Sequence, residues 1–374
     1  MYKIPANVMS FASSSKTGLF DAFLDYYNHY RYNNGKKDLT FATVDQSGKA
    51  ISFEQKEKAI NQMFRDEVIN RSGVSYITGD TPVGEWFAHP NVKYESFAIV
   101  SALIDMIIPQ TMIDSIGLFT DVRVGGWGDS FAFEVSARDL FPVTVAGKGM
   151  RSAEFQRQYR GLKTIVPTMH EVTVYASLYR ILSGSDSLAE FTMKAARSIE
   201  TQMTVDAYTA FAVAFDALST SGNTQLKATG YSQTQLVDFC QKVEVYNQGN
   251  KPVIAGTKLA LQNVLPLDAN YRYDLVNSDY VKLGYIPTAF GYDMLMIPQV
   301  AAWQTPFTTV ISDARLWIVS PSSQKIVKLC IEGSTLSKTN DPYDSAMLNQ
   351  NTTLWKSWGV GVATNSIGAE IVLA

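Results

Sequence analysis

Alternating apolar and polar positions mark two strands near the middle of the chain. Phe131, Phe133 and Val135 alternate with Ala132 and Glu134, and Val172 and Val174 alternate with Thr173 and Tyr175, the period-two pattern of strands with two unlike faces. Between them, Ser136 to Thr168 carries Gly147, Gly149, Gly161, Pro142, Pro167 and many charges, with apolar residues too scattered to build a core. This predicts a long hairpin-like excursion. Connections of that length are uncommon inside a compact domain, so something outside the chain's own core, such as another protein surface, is expected to hold it.

The pattern then changes to helical spacing. Ser187 stands three residues before Glu190, a capping-box signature, and Leu188, Phe191, Ala195, Ile199, Met203, Ala207, Ala210, Ala214 and Leu218 form an apolar stripe. No Pro or Gly interrupts the run before Gly222. A helix over 187–218 would be roughly 48 Å long at about 1.5 Å per residue, more than twice the mean globular length. It reads as a spine.

Elsewhere the signals are shorter. Residues 1–50 are rich in Ser, Asn, Gly and Tyr and predict an extended, partly ordered arm with a helical patch from Leu19 to Tyr30. Ser52 and Gln55 form a second capping box, opening a charged helix with a narrow apolar stripe that stops near Gly73. Glu95 to Ile108 reads as a short buried helix ended by Pro109. After a polar stretch over 219–232, a helix from Thr234 to Asn247, a strand from Val253 to Ala255 and a helix from Lys258 to Leu265 begin a second domain. Tyr280 to Ile286 and Met294 to Ile297 are further strand candidates, punctuated by Pro287 and Pro298. The end is strand-rich: Arg315 to Val319, Lys325 to Ile331, Lys356 to Ala363 and Ala369 to Leu373 are expected to return to the strands flanking the spine.

Composition narrows the function classes. At 374 residues and 46% hydrophobic the chain can bury two or three domain-sized cores. A net charge of -3 gives no global basic footprint, which argues against a dedicated nucleic-acid binder. Local charge tells more. Arg138, Lys148, Arg151, Arg157, Arg160 and Lys163 face only Asp139 and Glu154 in the excursion, while Glu190, Glu200, Asp206 and Asp216 outweigh Lys194 and Arg197 on the spine. A basic loop and an acidic helix in one chain suit pairing between copies. The apolar run from Phe97 to Pro109 is too short to span a membrane, and residues 1–18 lack a continuous apolar stretch of the kind a secretory signal needs, so synthesis in a cytoplasm is expected.

Chemistry is hard to find. His29, His89 and His170 are far apart, and Cys240 and Cys330 stand 90 positions from one another, as buried free thiols would. Gly125-Gly126-Trp127-Gly128-Asp129-Ser130 precedes a strand rather than a helix and reads as a tight turn, and Gly147-Lys148-Gly149 lacks the frame of a phosphate loop. No nucleophile elbow is present, so neither catalytic residues, a cofactor nor a metal is expected.

The order of elements resembles the major capsid proteins of tailed bacteriophages, the fold named after phage Hong Kong 97, and their encapsulin relatives. The resemblance is carried by the arm before Gly73, the helix ending at Pro109, the segment Val122 to Val135 with its Gly-Gly-Trp-Gly-Asp-Ser turn, the excursion through Arg160 and the capped helix 187–218. It implies an α+β fold with an N-terminal arm (1–73) and a β-hairpin E-loop (120–168). A peripheral domain (74–119, 169–230 and 308–374) would contain the spine helix, and an axial domain would span 231–307. It implies a structural, non-enzymatic protein of the virion that self-assembles in the host cytoplasm into hexamers and pentamers of an icosahedral shell around double-stranded DNA, touched non-specifically. Its implied partners are other copies, a separate scaffolding protein, a portal protein and a decoration protein, with no membrane. The inter-subunit contacts would be Arg138, Lys148, Arg151, Arg157, Arg160 and Lys163 on the E-loop, facing Glu190, Glu200 and Asp206 on the spine. Two rivals stand beside this reading: an encapsulin-like cargo compartment and a soluble metabolic enzyme with a β-excursion over its active site.

Overall fold

A computed structural model of the chain describes residues 6–32, 44, 48–74, 81, 86, 89–116, 120–136, 160–175, 180, 186–264, 283–301, 307–320, 325–339, 351–364 and 366–373. Among the described residues α1 (Ala6–Ser13), α2 (Leu19–Tyr32), α3 (Phe53–Ser72) and α4 (Pro90–Ile116) come first. The cap of α3 forms as its spacing predicts. Ser52 Oγ accepts from the Gln55 amide and the Gln55 side chain accepts from the Ser52 amide, while Gly73 ends the helix at φ 67°.

Two expectations fail here. The helical patch expected from Leu19 to Tyr30 forms as α2, but α1 precedes it, and together they bury Val8, Leu19, Phe20, Phe23, Tyr26 and Tyr27 in the main core rather than forming an extended arm throughout. The spacing of Phe20, Phe23 and Tyr27 stacks them on one helical face. Nor does Pro109 stop α4, which continues to Ile116. A proline inside a helix costs about 3 kcal/mol. Ile99, Leu103, Ile104, Ile107 and Ile108 are all buried, at about 1.5–3 kcal/mol each, and that burial outweighs it. From Ile99 to Ile108 helix α4 is buried all round rather than on one stripe, which makes it the axis of the core. Among the described residues no helix is long and apolar enough to cross a membrane.

Next come β1 (Thr120–Gly125), β2 (Phe131–Ser136), β3 (Arg160–Ile165), β4 (Thr168–Tyr175) and the spine α5 (Leu188–Asp216), whose 29 residues begin after Ser187 accepts from the Glu190 amide. The second half holds β5 (Lys227–Thr229), α6 (Gln233–Tyr246), β6 (Val253–Gly256), α7 (Lys258–Gln262), β7 (Thr288–Ala289), β8 (Tyr292–Met296), β9 (Arg315–Val319), β10 (Val327–Thr339), β11 (Asn351–Val362) and β12 (Ala369–Val372). Among the described residues a four-stranded sheet runs β1-β10-β11-β4, a six-stranded sheet runs β5-β12-β9-β6-β8-β7, and β2 and β3 pair only with each other. Thus β10 and β11 return to the strands flanking the spine as expected. In contrast, β9 and β12 join the second sheet and not, as expected, the strands flanking the spine. Within the described part of 280–286 no strand forms; the nearby pair is β7 and β8.

Strand β9 explains why two cores stay in register. Leu316 and Ile318 pack with Leu236, Phe239 and Cys240 of α6, whereas Trp317 and Val319 face the main core, where Trp317 meets Phe211 of α5 edge-on at 5.4 Å. A strand covered on both faces needs an unbroken apolar run, and Leu316 to Val319 supplies one. Charges secure the same junction. Glu370 on β12 is fully buried and pairs with Lys227 and Arg315, each at 3.0 Å, and both cations also reach Asp216 at the end of α5, at 3.0 and 2.8 Å.

The hydrogen bond from Lys227, joined by Arg315, holds the Asp216 carboxyl below the usual carboxylate range. A carboxyl depressed in the folded state contributes stability above its unfolded pKa near 3.9, and that contribution is lost as pH falls through the folded value. Asp216→Asn is therefore expected to lower the melting temperature at pH 7, and by less at pH 3, since the contribution shrinks as pH falls below the unfolded value. Thermal melts of both chains at the two pH values check this, and an unchanged gap at pH 3 would contradict it.

Candidate functional site

The excursion leaves the body of the protein through a built turn. Gly126 N–H donates to Asp129 Oδ2 at 2.6 Å, and Gly128, at φ 84°, donates its N–H to Glu332 Oε1 at 2.7 Å. The Trp127 ring lies against Gly333, where an added Cβ would fall 2.2 Å from the indole. The glycines serve a tight turn and close approach, as the sequence predicts, and not a phosphate site. Because β1 belongs to the four-stranded sheet, the hairpin itself starts at Phe131 rather than at residue 120.

Its root is apolar. Strands β2 and β3 pair from Phe131↔Ile165 to Ser136↔Arg160, and Phe131, Phe133 and Ile165 form a small core of their own with Cys330 and Ala363. This cluster sits on the face of the four-stranded sheet opposite α4 and α5, and β11 makes room for it with two glycines. An added Cβ at Gly359 would meet the Val166 carbonyl oxygen at 2.8 Å, and one at Gly361 would meet Ile165 Cδ1 at 2.9 Å. The Arg123 guanidinium lies 4.1 Å from the Phe133 ring centroid and donates to the Ala132 carbonyl at 3.0 Å. Beyond the root, β3 is exposed along its length, with Leu162 at 69% and Val166 just after it at 76%.

Of the basic residues expected to bridge subunits, Arg160 and Lys163 are exposed on β3, and Arg160 pairs with Glu134 of its own hairpin at 2.8 Å. Arg138, Lys148, Arg151 and Arg157 lie outside the described residues. On the spine, Glu190 is exposed and pairs with Lys194 at 3.0 Å, and Glu200 is half-buried. Asp206 faces the sheet, accepting from Trp358 Nε1 at 2.9 Å and from Gln202 at 2.9 Å, with His170, stacked on Trp358, at 3.9 Å. Asp206 is thus held inside its own chain, and Arg160 is paired within its own hairpin.

A second feature escaped sequence reasoning. Asp105 of α4 and Lys356 of β11, 2% and 4% exposed, pair at 2.6 Å. The Asp105 carboxylate also accepts from Thr335 N at 2.8 Å and Thr335 Oγ1 at 2.6 Å, and Lys356 Nζ donates to the Gly333 carbonyl at 3.0 Å. A single aspartate in the apolar run after Phe97 was the one available signal, and nothing in the sequence tied it to a lysine 251 positions away.

For catalysis or metal binding the described residues offer little. No group of three or more His, Cys, Asp or Glu among them is placed to hold a metal. Both cysteines are buried and unbridged, and burial pushes the Cys240 thiol up to about 12 and the Cys330 thiol up to about 11, so both are inert thiols at neutral pH.

Comparison with known proteins gives a family. The model described as "SPbeta prophage-derived putative capsid protein YonB" matches residues 37–369. Among solved structures the chain is similar to the capsid of a native GTA particle, at 14% identity over 70% of this chain and 90% of that one, with a TM-score of 0.48. It is also similar to the capsid of the cyanophage P-SCSP1u (13% identity, 69% and 86% covered, TM-score 0.45). A third likeness is to the capsid of Helicobacter pylori bacteriophage KHP30 (11% identity, 67% and 87% covered, TM-score 0.43). No curated protein matches the sequence.

Proposed function

The chain belongs to the YonB family of SPbeta prophage-derived capsid proteins, and from that premise we propose that it tiles a closed icosahedral shell as hexamers and pentamers. It is a structural component of a phage virion and builds an oligomeric shell. In our reading the shell forms in the host cytoplasm around double-stranded DNA that it touches non-specifically, with a scaffolding protein, a portal protein and a decoration protein as partners, and it has no enzymatic activity. The observation that carries the assembly mechanism is the hairpin, anchored at its root and exposed beyond it. A strand that finds no cover within its own chain suits a neighbour's surface.

The contacts proposed at that seam are Arg138, Lys148, Arg151, Arg157, Arg160 and Lys163 of one copy with Glu190, Glu200 and Asp206 of the next. Asp206 contributes least, since it already serves Trp358. Exposed charge pairs are screened at a Debye length of about 8 Å at physiological salt, so assembly weakens as salt rises. Arg157→Glu is expected to lower particle yield at least about tenfold, because a loss of only about 1.4 kcal/mol in a contact is already that factor and symmetry repeats it. Negative-stain electron microscopy with size-exclusion chromatography, with and without a co-expressed scaffolding protein, tests the reading. Shells or five- and six-fold rings are expected, and a persistent monomer or dimer under both conditions would overturn it.

A further inference from the structure

Between α1, α4 and the far half of β10 lies a cavity of about 480 Å³, lined chiefly by Phe11, Tyr94, Phe97, Ser101 and Leu336. It is within the size range of ligand sites and its walls are largely apolar. Asp105 at its inner end is satisfied by Thr335 and Lys356, whereas Ser101 Oγ, in a residue only 8% exposed, has no hydrogen-bond partner. A buried hydroxyl left unpaired costs free energy and marks a place for an incoming donor or acceptor.

Beside this cavity, among the described residues, the four-stranded sheet ends at the far half of β10. Strand β1 pairs with β10 only as far as Gly125↔Glu332, Gly333 to Thr335 form a bulge, and among the described residues Leu336 to Thr339 pair on the β11 side alone. An exposed edge next to an apolar hole is a receptor for an extended segment that adds a strand and inserts a side chain. The same chain displays such a segment. Leu162 is 69% exposed on β3, which among the described residues pairs only with β2, and Leu162 does not line the cavity of its own copy.

We infer that this cavity is the socket for Leu162 of a second copy, with β3 of that copy lying along the edge of β10 and its backbone bonding to Ser101. The inference rests on the shell reading and deepens it by naming what the hairpin seats into. A knob on one surface and a socket on another make a head-to-tail contact, which closes into a ring when the rotation between copies is a simple fraction of a turn. Rings of five and six are such closures.

Cysteine trapping tests the socket. Chains carrying Leu162→Cys and Ser337→Cys, together and separately, are assembled, oxidised and run on a non-reducing gel, with the buried Cys240 and Cys330 silent. The double variant is expected to give a ladder of linked subunits, each single variant none, and a mixture of the two single variants linked dimers only. Intact particles by microscopy without linked subunits would overturn the socket while leaving the shell reading standing. Absence of particles in the parent protein would overturn both. In a second arm, Leu162→Asp should lower particle yield at least tenfold with the melting temperature of the unassembled chain unchanged, and full yield would reject the socket.

Discussion

Asp105→Ala is expected to destabilise the fold by about 3–5 kcal/mol, the cost of removing one member of a buried ion pair and leaving the other unpaired. Lys356 would keep only the Gly333 carbonyl, and the Thr335 amide and hydroxyl would lose their common acceptor. The loss is large against the roughly 5–15 kcal/mol that stabilises a typical domain. Urea unfolding of the unassembled chain measures it from the shift in midpoint. Replacing both partners together, Asp105→Leu with Lys356→Met, is expected to recover most of the loss, since apolar side chains of similar volume avoid the desolvation of two charges. A double variant as unstable as Asp105→Ala would show that the hydrogen bonds to Thr335, and not the stranded lysine, carry the effect.

The second large effect concerns the seat of the hairpin. Gly359→Ala puts a methyl 2.8 Å from the carbonyl oxygen of Val166, which is backbone and cannot turn aside, and 3.1 Å from both Cys330 Sγ and Ile165 Cγ2. Gly361→Ala puts one 2.9 Å from Ile165 Cδ1, the end of a flexible side chain. The first is therefore expected to lift the hairpin root and the second to be accommodated at about 1–3 kcal/mol. Lifting the root exposes Phe131, Phe133 and Ile165, at about 1.5–3 kcal/mol each. Limited proteolysis of the hairpin should be at least tenfold faster in Gly359→Ala than in the parent, and particles should not form. Equal behaviour of the two glycine variants would refute this account of the seat.

What the sequence made legible follows from how local each signal is. The caps at Ser52 and Ser187 involve residues three apart, so the starts of α3 and the spine could be read directly. The run Leu316 to Val319 and the alternation of Phe131 and Phe133 likewise carry their own periodicity. What could not be read depends on distant partners. Pro109 looked like a stop because the burial that overrides it comes from strands and helices far away in the chain. The helical patch at Leu19 to Tyr30 was legible and forms α2, whereas α1 ahead of it was not read, because its packing partners lie far along the chain. The membership of β9 and β12 in the second sheet is a matter of register across more than fifty residues, which composition does not encode. At the candidate site, the turn at Gly125 to Ser130 was legible. The two glycines of Trp358-Gly359-Val360-Gly361 were visible, but their purpose appeared only once Ile165 was placed over them.

The bulge in β10 gives the protein a mechanical character. Between Glu332 and Leu336 the register with β11 shifts, and Gly333, Ser334 and Thr335 crowd opposite Lys356. At this point Trp127 bears on Gly333 from the hairpin side, while Lys356 and Thr335 grip Asp105 of α4. The sheet is therefore clamped on both faces at one fulcrum. A load applied to the hairpin would pass through that pivot to α4 in the core, so hairpin and helix form the two arms of a lever.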